Sequence, residues 1–269
     1  MNRQSVRLNE LMDNLNKLYP SELAEEWDQV GLHFGYKDAN VSKVMTTLDV
    51  RPEVVEEALE LSVDTIIVHH PILFNPIKRF DNSTADLRMY TNLIKNDINV
   101  FVLHTNLDKA LNGMNDWLAN ALKLKDIKEL EPSEDGLSGL GRVGNLPDTF
   151  VRQDLISYIK DKLNANNLTL IERTPKEAYN RVAIVGGSSF DSLSAALDEE
   201  ADVFITGDIT FHKGQDAYEF DILTIDSGHY IEYIFKEKMA TVIKNLAQEN
   251  QWDIEVIEST TNTNPFMYE

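Results

Sequence analysis

The sequence predicts an α/β protein with mainly parallel sheets flanked by helices. Short apolar runs alternate along the chain with longer segments of helical periodicity, which is the pattern of repeated strand-helix units. Several of these runs are almost continuously apolar, as expected for strands that are buried on both faces of a sheet. With 269 residues, 42% of them hydrophobic, the chain is long enough for one or two domains.

The individual elements follow from these runs in chain order. The apolar runs predict strands at residues 44–50, 65–68, 100–103, 181–185, 203–206 and 222–225. Pro52 followed by acidic residues is typical of a helix start. The segments between the strands predict helices at residues 52–61, 85–96, 114–124, 153–163, 192–200 and 230–249.

The segment 129–147 differs in composition from the rest of the chain. It is rich in glycine and proline, with serine and acidic residues between them: Pro132, Gly136, Gly139, Gly141, Gly144 and Pro147. This composition predicts a connection between two units rather than a strand or helix. A second α/β unit then runs from about residue 149 to residue 222.

Charge and cysteine content exclude several classes of protein. The chain carries 45 acidic and 25 basic residues, a formal charge of -20, which argues against general binding to a phosphate backbone. It has no cysteine, so neither disulfides nor thiolate chemistry is available. Residues 1–5 lack the apolar core of a signal peptide, and no apolar run is long enough to span a membrane. We therefore expect a cytoplasmic protein that does not bind membranes.

Two adjacent histidines, His69 and His70, stand directly after the apolar run at 65–68. Asp108 and His229 also follow predicted strands, and Glu232 comes three residues after His229. Functional groups collect at the carboxyl ends of parallel strands, so these placements are consistent with one site. Three imidazoles and two carboxylates form a ligand set suited to Zn, Fe, Mn or Ni.

The spacing of these residues favours a dinuclear site. Neighbouring side chains on a strand point to opposite faces, so His69 and His70 converge only where Pro71 ends the strand, and each could then bind a different ion. The three-residue spacing of His229 and Glu232 resembles that of dinuclear sites in helical bundles. The alternative is that all five are ordinary polar residues at strand ends, satisfied by hydrogen bonds.

Two glycine motifs and one tryptophan also need an interpretation. Residues 139–144 match the dinucleotide pattern G-x-G-x-x-G, but no predicted strand precedes them and Pro147 follows, so we interpret them as a turn. The glycines at 186 and 187 precede a helix, which fits either an anion site or a tight turn. We expect Trp27 to be a core residue, and Asp28 to be either a pocket residue or a turn residue.

Seven motifs in order give the chain a family resemblance. Glu26-Trp27-Asp28-Gln29-Val30-Gly31-Leu32, Val68-His69-His70-Pro71, His104-Thr105-Asn106-Leu107-Asp108 and residues 139–144 are followed by Val185-Gly186-Gly187-Ser188, Thr206-Gly207-Asp208 with His212, and Asp226-Ser227-Gly228-His229. The set resembles the Nif-three-like family, whose members are often named GTP cyclohydrolase I type 2 homologues. The matches run almost from end to end.

The resemblance implies a two-lobed fold with a dinuclear metal site between the lobes. The first lobe would comprise residues 1–128 plus about 225–269, and the second would comprise about 129–224. The implied metal ligands are His69, His70, Asp108, His229 and Glu232. His104 and His212 are the implied pocket residues that orient a ligand or move a proton.

The resemblance also implies partners and an activity. It implies a toroidal homohexamer, and two divalent ions whose identity among Zn, Fe, Mn and Ni is open. The first hypothesis is a divalent-metal-dependent hydrolase with a dinuclear site, either of the GTP cyclohydrolase type or acting on another nucleotide or phosphate ester. The alternative is a metal-binding or regulatory interaction protein without turnover. DNA encirclement by a toroid conflicts with the charge of -20.

Overall fold

The computed structural model describes residues 4–133, 136 and 138–267 of the chain. The prediction that residues 1–5 are not a signal peptide falls partly outside the described residues, because these begin at residue 4. The chain divides into two compact units. The first unit comprises Met1–Leu107 and Tyr233–Pro265, and the second comprises Asp108–Glu232 and Phe266–Glu269. The predicted second lobe, 129–224, begins later and ends earlier than this second unit.

The described residues form the following strands and helices. The strands are β1 (Val6–Arg7), β2 (Gly31–Phe34), β3 (Asn40–Val41), β4 (Lys43–Thr47), β5 (Thr65–Val68), β6 (Asn99–Val102), β7 (Lys125–Pro132), β8 (Gly139–Phe150), β9 (Thr169–Ile171), β10 (Tyr179–Ile184), β11 (Val203–Thr206), β12 (Leu223–Asp226) and β13 (Glu255–Glu258). The helices are α1 (Leu8–Leu18), α2 (Pro52–Glu60), α3 (Ala85–Lys95), α4 (Thr105–Lys109), α5 (Met114–Ala121), α6 (Arg152–Leu163), α7 (Leu193–Asp198), α8 (Phe211–Ala217) and α9 (Phe235–Glu249). Short 3-10 helices cover Ser21–Leu23, Phe190–Ser192 and His229–Ile234. A helix long and apolar enough to cross a membrane does not occur in the described part of the chain.

The first unit is built on a five-stranded sheet in the order β13-β4-β5-β6-β2. Strands β13, β4, β5 and β6 run parallel to one another, and β2 at the edge pairs antiparallel with β6. Every residue of β5 and β6 is buried, as the continuous apolar runs predict. The mainly parallel sheet expected from the sequence is therefore present in this unit.

Helices of the first unit pack through apolar stripes. In α1 the buried side chains Leu8, Leu11, Met12 and Leu15 recur at the spacing of one helix face. Helix α3 begins at a cap in which the hydroxyl of Thr84 accepts the backbone N–H of Leu87. Buried apolar residues of strands β4, β5 and β6 and of helices α2 and α3 form one core.

The second unit is built on a six-stranded mixed sheet in the order β7-β8-β10-β11-β12-β9. The three central strands β10, β11 and β12 are parallel to one another. The outer strands β7, β8 and β9 join them antiparallel. The expectation of a mainly parallel sheet holds only for the centre of this unit.

The predicted connection at 129–147 is wrong, because these residues belong largely to the antiparallel strands β7 and β8. The glycines serve close packing rather than a flexible link. Gly141 has a φ of +67°, and a Cβ placed there would lie 2.6 Å from a methyl group of Val185. A side chain at this position would therefore meet both backbone strain and a clash. The dinucleotide-like motif at 139–144 lies within β8, so its interpretation as a turn is wrong.

Acid is expected to weaken the first unit through Glu57. Burial would raise the pKa of Glu57, but hydrogen bonds from Ser259, Thr260 and Thr261 outweigh it and hold the pKa at about 2, below the ordinary 4.5. A lowered folded pKa means that the stabilisation is complete above pH 4.5 and disappears as the pH falls toward 2. Because Glu57 is only partly buried, we expect this contribution to be about 1–2 kcal/mol after allowance for solvent screening.

Urea unfolding of wild type and Glu57→Gln at pH 7 and pH 3 tests this expectation. The free energies of unfolding should differ at pH 7 and approach one another at pH 3. The exposed neighbour Glu56, changed to Gln, controls for removal of a charge from the same helix. If the free energies of unfolding of wild type and Glu57→Gln differ by the same amount at both pH values, the contacts of residue 57 with Ser259, Thr260 and Thr261 do not depend on its charge.

Candidate functional site

Three adjacent strands of the first unit deliver polar side chains to one edge of the sheet. Asp49 follows β4, His69 and His70 follow β5, and His104 follows β6. Because these strands are parallel neighbours, their carboxyl ends lie side by side. The topology therefore collects residues that are far apart in the sequence.

The three histidines form a compact cluster. Ligand nitrogens of His69, His70 and His104 all lie within 4.8 Å of one another. The ring centroids of His69 and His70 are 4.9 Å apart, and those of His69 and His104 are 5.1 Å apart. His69 is fully buried and also packs against the ring of Phe235, with centroids 5.5 Å apart, so its ring is withheld from bulk water.

Each of these histidines has its Nδ1 atom bound to an oxygen acceptor. Nδ1 of His69 lies 2.8 Å from the carbonyl oxygen of Leu103. Nδ1 of His70 lies 2.7 Å from Oδ1 of Asp49, and Nδ1 of His104 lies 2.9 Å from Oδ1 of Asp28. A carbonyl or carboxylate oxygen can only accept, so Nδ1 carries a proton, and in the neutral form of the ring Nε2 then presents the lone pair. Such contacts fix the ring orientation of metal-binding histidines.

Both carboxylates that hold these rings are ionised. Asp28 also accepts the backbone N–H and the hydroxyl of Thr105. Burial would raise the pKa of Asp28, but the hydrogen bonds from His104 and Thr105 lower it to about 2. Burial would also raise the pKa of Asp49, but hydrogen bonds from His70 and Thr263 outweigh burial and lower that pKa.

Trp27 is not the core residue that the sequence analysis favoured. Its side chain is 56% exposed and meets the ring of His104 edge-on, with centroids 6.1 Å apart. The exposed ring of Phe74 lies 6.0 Å away. Asp28, one residue later, is buried, and its carboxylate contacts His104 while its backbone N–H donates to the carbonyl of Glu25 and closes a turn.

The second unit collects its own donors at the ends of its parallel strands. Asp208 follows β11 and His229 follows β12, which are neighbours in the sheet. Nδ1 of His229 lies 2.7 Å from Oδ2 of Asp208, and its Nε2 lies 3.2 Å from Oε2 of Glu232. Asp108 and Glu232 offer oxygens within 4.8 Å of one another. Glu232 is 2% exposed, so its carboxylate is withheld from bulk water.

Glycines at the ends of β10 and β11 allow the backbone to approach these donors closely. A Cβ at Gly186 would lie 2.7 Å from Oε1 of Glu232, and one at Gly187 would lie 3.1 Å from it. A Cβ at Gly207 would lie 2.9 Å from the backbone nitrogen of His229. The turn interpretation of Gly186-Gly187 is therefore supported, because a carboxylate beside the turn opposes an anion there.

A buried amide connects Asp108 to the same turn. Nδ2 of Asn115 donates to the carbonyl of Asp108 at 3.0 Å, and Oδ1 of Asn115 accepts the N–H of Gly186 at 2.9 Å. Asn115 is 1% exposed, so both ends of its amide replace water. The backbone of Asp108 is thereby fixed to the turn that packs on Glu232.

His212 lies apart from these donor clusters in its contacts. It is exposed near the start of α8, its Nδ1 lies 3.0 Å from Oε1 of Gln215, and its ring meets Phe211 edge-on. The groups of described residues able to hold a metal include His104 but not His212. The structure therefore places the two histidines that resemble pocket residues in different surroundings.

Sequence reasoning assigned no role to two carboxylates, Asp49 and Asp208, that contact ligand-type histidines. Both stand just after strands that neighbour a histidine-bearing strand, so the strand-end rule could have identified them. Asp208 adopts a φ of +56°, a left-handed conformation that Asp and Asn tolerate best. Asp208 contacts His229 from this left-handed conformation.

The chemistry of the donors fits a divalent transition metal. The first unit offers three imidazole nitrogens, and the second offers one imidazole and two carboxylates. Imidazole nitrogen and carboxylate oxygen are both common ligand atoms of divalent transition metals, and each of these imidazoles is held through its other nitrogen. The described residues therefore define an α/β protein with a possible metal site.

Comparison with known proteins gives the family. The model of the Duf34/NIF3 (NGG1p interacting factor 3) family matches residues 6–265, and the chain belongs to this family. It is 40% identical over 252 residues to a Streptococcus pneumoniae protein named GTP cyclohydrolase 1 type 2 homolog, covering 92% of this chain and 94% of that protein.

Solved structures agree with this family. A Staphylococcus aureus hypothetical protein is 31% identical, with a TM-score of 0.93 and coverage of 99% of this chain and 100% of the other. A Bacillus cereus protein related to NIF3 has the same TM-score of 0.93 at 23% identity, covering 100% of both chains, and shows the fold alone. The NIF3-like fold implied by the sequence motifs is thus confirmed.

Proposed function

We propose that this protein is a divalent-metal-dependent hydrolase that holds two ions with His69, His70, Asp108, His229 and Glu232. One observation carries the proposal. Nδ1 of His69, His70 and His104 is in each case bound to an oxygen acceptor, which assigns Nε2 of His69 and His70 as the ligand atom and Nε2 of His104 as the atom that exchanges a proton. Nδ1 of His229 is held by Asp208 in the same way, and its Nε2 lies 3.2 Å from the carboxylate of Glu232, a second proposed ligand. Ordinary polar residues at strand ends have no reason to gather three imidazoles in one cluster, each held through Nδ1.

Different residues of the chain have different roles at such a site. When bound, divalent ions lower the pKa of water and polarise an electrophile. Asp49 and Asp208 keep the rings of His70 and His229 in the orientation that binding requires. Burial of His69 and Glu232 keeps bulk water away from their ligand atoms, which strengthens electrostatic interactions there.

His104 is the better supported of the two candidate proton carriers. Its Nδ1–H is held by the ionised Asp28, and its Nε2 belongs to the histidine cluster. This arrangement resembles the carboxylate-oriented histidine of hydrolytic triads, in which Nε2 exchanges the proton. His212 remains a candidate through the family resemblance alone, because its described contacts are to Gln215 and Phe211.

The substrate class comes from the relatives and from charge. Relatives of this chain carry the name GTP cyclohydrolase 1 type 2 homolog, which suggests a nucleotide, with GTP as a first candidate. A chain charge of -20 favours a small molecule over a nucleic acid. We also expect a toroidal homohexamer, which sedimentation of the purified protein measures directly.

Replacing His104 with Gln is expected to lower kcat by about two to four orders of magnitude, because a positioned acid-base group contributes roughly that much. The assay incubates protein loaded separately with Zn, Mn, Fe or Ni with a panel of nucleotides that includes GTP, and products are separated by chromatography. His212→Gln serves as the comparator. Metal content is measured on every variant, so that loss of the proton carrier is distinguished from loss of the ion.

Three outcomes separate the hypotheses. Turnover that falls in His104→Gln but not in His212→Gln, at unchanged metal content, supports the assignment. Turnover that falls only in His212→Gln reverses it. Metal binding without turnover of any panel member would favour the alternative function, a metal-binding or regulatory protein.

A further inference from the structure

The segment that follows β13 in the first unit is held by two carboxylates. Glu57 accepts hydrogen bonds from the hydroxyls of Ser259, Thr260 and Thr261, at 2.6, 2.6 and 2.9 Å. Asp49 accepts the hydroxyl of Thr263 at 2.6 Å. Hydroxyl groups of this segment therefore donate to two carboxylates, Glu57 and Asp49, which have different neighbours.

The contact with Asp49 differs because Asp49 also holds a candidate metal ligand. Oδ2 of Asp49 accepts Thr263, and Oδ1 accepts Nδ1–H of His70 at 2.7 Å. Both oxygens of one carboxylate are thus engaged by a directional donor. A carboxylate held at both oxygens cannot rotate about its terminal bond without breaking one of the two contacts.

Sheet topology explains why a residue so late in the chain reaches Asp49. Strands β13 and β4 are parallel neighbours, with Glu258 opposite Thr46. Asp49 and Thr263 follow the carboxyl ends of these two strands. Parallel strands end at the same edge of a sheet, so the chain beyond β13 passes the residue that orients His70.

We propose that Thr263 is a positioning residue for the metal site, acting on His70 through Asp49. This inference rests on the proposed function, since it assumes that His70 binds an ion. Thr263 touches neither the ion nor a substrate. It restricts the carboxylate of Asp49, which in turn restricts the imidazole of His70, so its removal leaves the ligands in place but less well oriented.

Metal affinity in Thr263→Val tests the proposal, because valine keeps the shape of threonine and removes only the hydroxyl. We expect Zn²⁺ binding, measured by competition with a chromophoric chelator, to weaken roughly three- to tenfold. Asp49→Asn should weaken it more, by about 10- to 100-fold, as changes in residues that orient metal ligands do. Thr263→Ser, which keeps the hydroxyl, should bind as wild type does.

Thr261→Val is the matched control. Thr261 and Thr263 are both half-buried in the same segment, but Thr261 donates to Glu57, which holds no histidine. We expect Thr261→Val to lose stability and to keep wild-type metal affinity. The absorption spectrum of bound Co²⁺ gives a second readout, which should change in Thr263→Val and not in Thr261→Val.

The outcomes distinguish this inference from the proposed function. Wild-type affinity in Thr263→Val, with metal bound by the wild type, would overturn the inference and leave the metal site standing. Equal weakening in Thr261→Val and Thr263→Val would also overturn it, because the segment would then act only through its packing. Absence of metal binding in the wild type would overturn both.

Discussion

Replacement of His69 by alanine is expected to lower the affinity for Zn²⁺ by more than about 100-fold, beyond the effect of losing a residue that only orients a ligand. His69 is fully buried, and its Nδ1–H is committed to the carbonyl of Leu103. Its Nε2 atom therefore has one available role in metal binding, that of a ligand. The measurement is a competition titration with a chromophoric chelator, with circular dichroism to verify that the variant is folded.

His33 provides the control for this prediction. It is a half-buried histidine of the same unit, whose Nε2 lies 2.8 Å from the carbonyl of Gln29 and whose Nδ1 accepts the N–H of Leu73. None of the metal-type groups among the described residues includes His33. His33→Gln should therefore keep the wild-type affinity. A folded His69→Ala variant that binds Zn²⁺ as tightly as wild type would remove His69 from the ligand set.

The second large effect is expected in the stability of the second unit, from Arg142→Ala. Arg142 is 1% exposed and donates Nε–H and Nη2–H to the two oxygens of Asp116, at 2.6 and 2.9 Å. Its remaining donors reach the carbonyls of Gly139, Gly141 and Ala110. Removing one partner of a buried ion pair costs about 3–5 kcal/mol, because the other charge and the carbonyls lose their donors.

Thermal unfolding measures this cost as a decrease in Tm of roughly 10 °C. Arg173→Ala is the control, because Arg173 and Glu219 form an exposed ion pair at 3.2 Å whose contribution is expected to be below about 1 kcal/mol. Arg142→Lys should recover little of the loss, since an ammonium cannot engage both oxygens of Asp116 in the plane of a guanidinium. A Tm within 2 °C of wild type, roughly the effect of an exposed pair, would contradict the assigned role.

Strands with continuous apolar sequence could be predicted from the sequence, and strands with glycine and proline could not. The runs that form β5 and β11 are buried at every position, so their sequence carries the signal by itself. β8 contains Gly139, Gly141, Gly144 and Pro147, which individually indicate turns. Its strand conformation depends on pairing with β7 and β10, and this pairing is a tertiary effect that the local sequence does not encode.

The candidate site shows the same division between local and tertiary information. His69, His70 and His229 follow apolar strands, so their place at the sheet edge follows from the sequence. The roles of Asp49 and Asp208 depend on contacts with residues 21 positions away, His70 and His229. Trp27 was expected in the core as a large aromatic residue, yet its ring is exposed beside His104.

The number of metal ions bound per chain decides whether the dinuclear site exists. The wild-type protein is loaded with Zn²⁺, Mn²⁺, Fe²⁺ or Ni²⁺ in turn, freed of excess ion by gel filtration, and analysed by mass spectrometry for metal per chain. We expect about two ions per chain for at least one of these metals, as a dinuclear hydrolase requires. A folded protein that retains none of the four ions would show that these residues do not form a metal site.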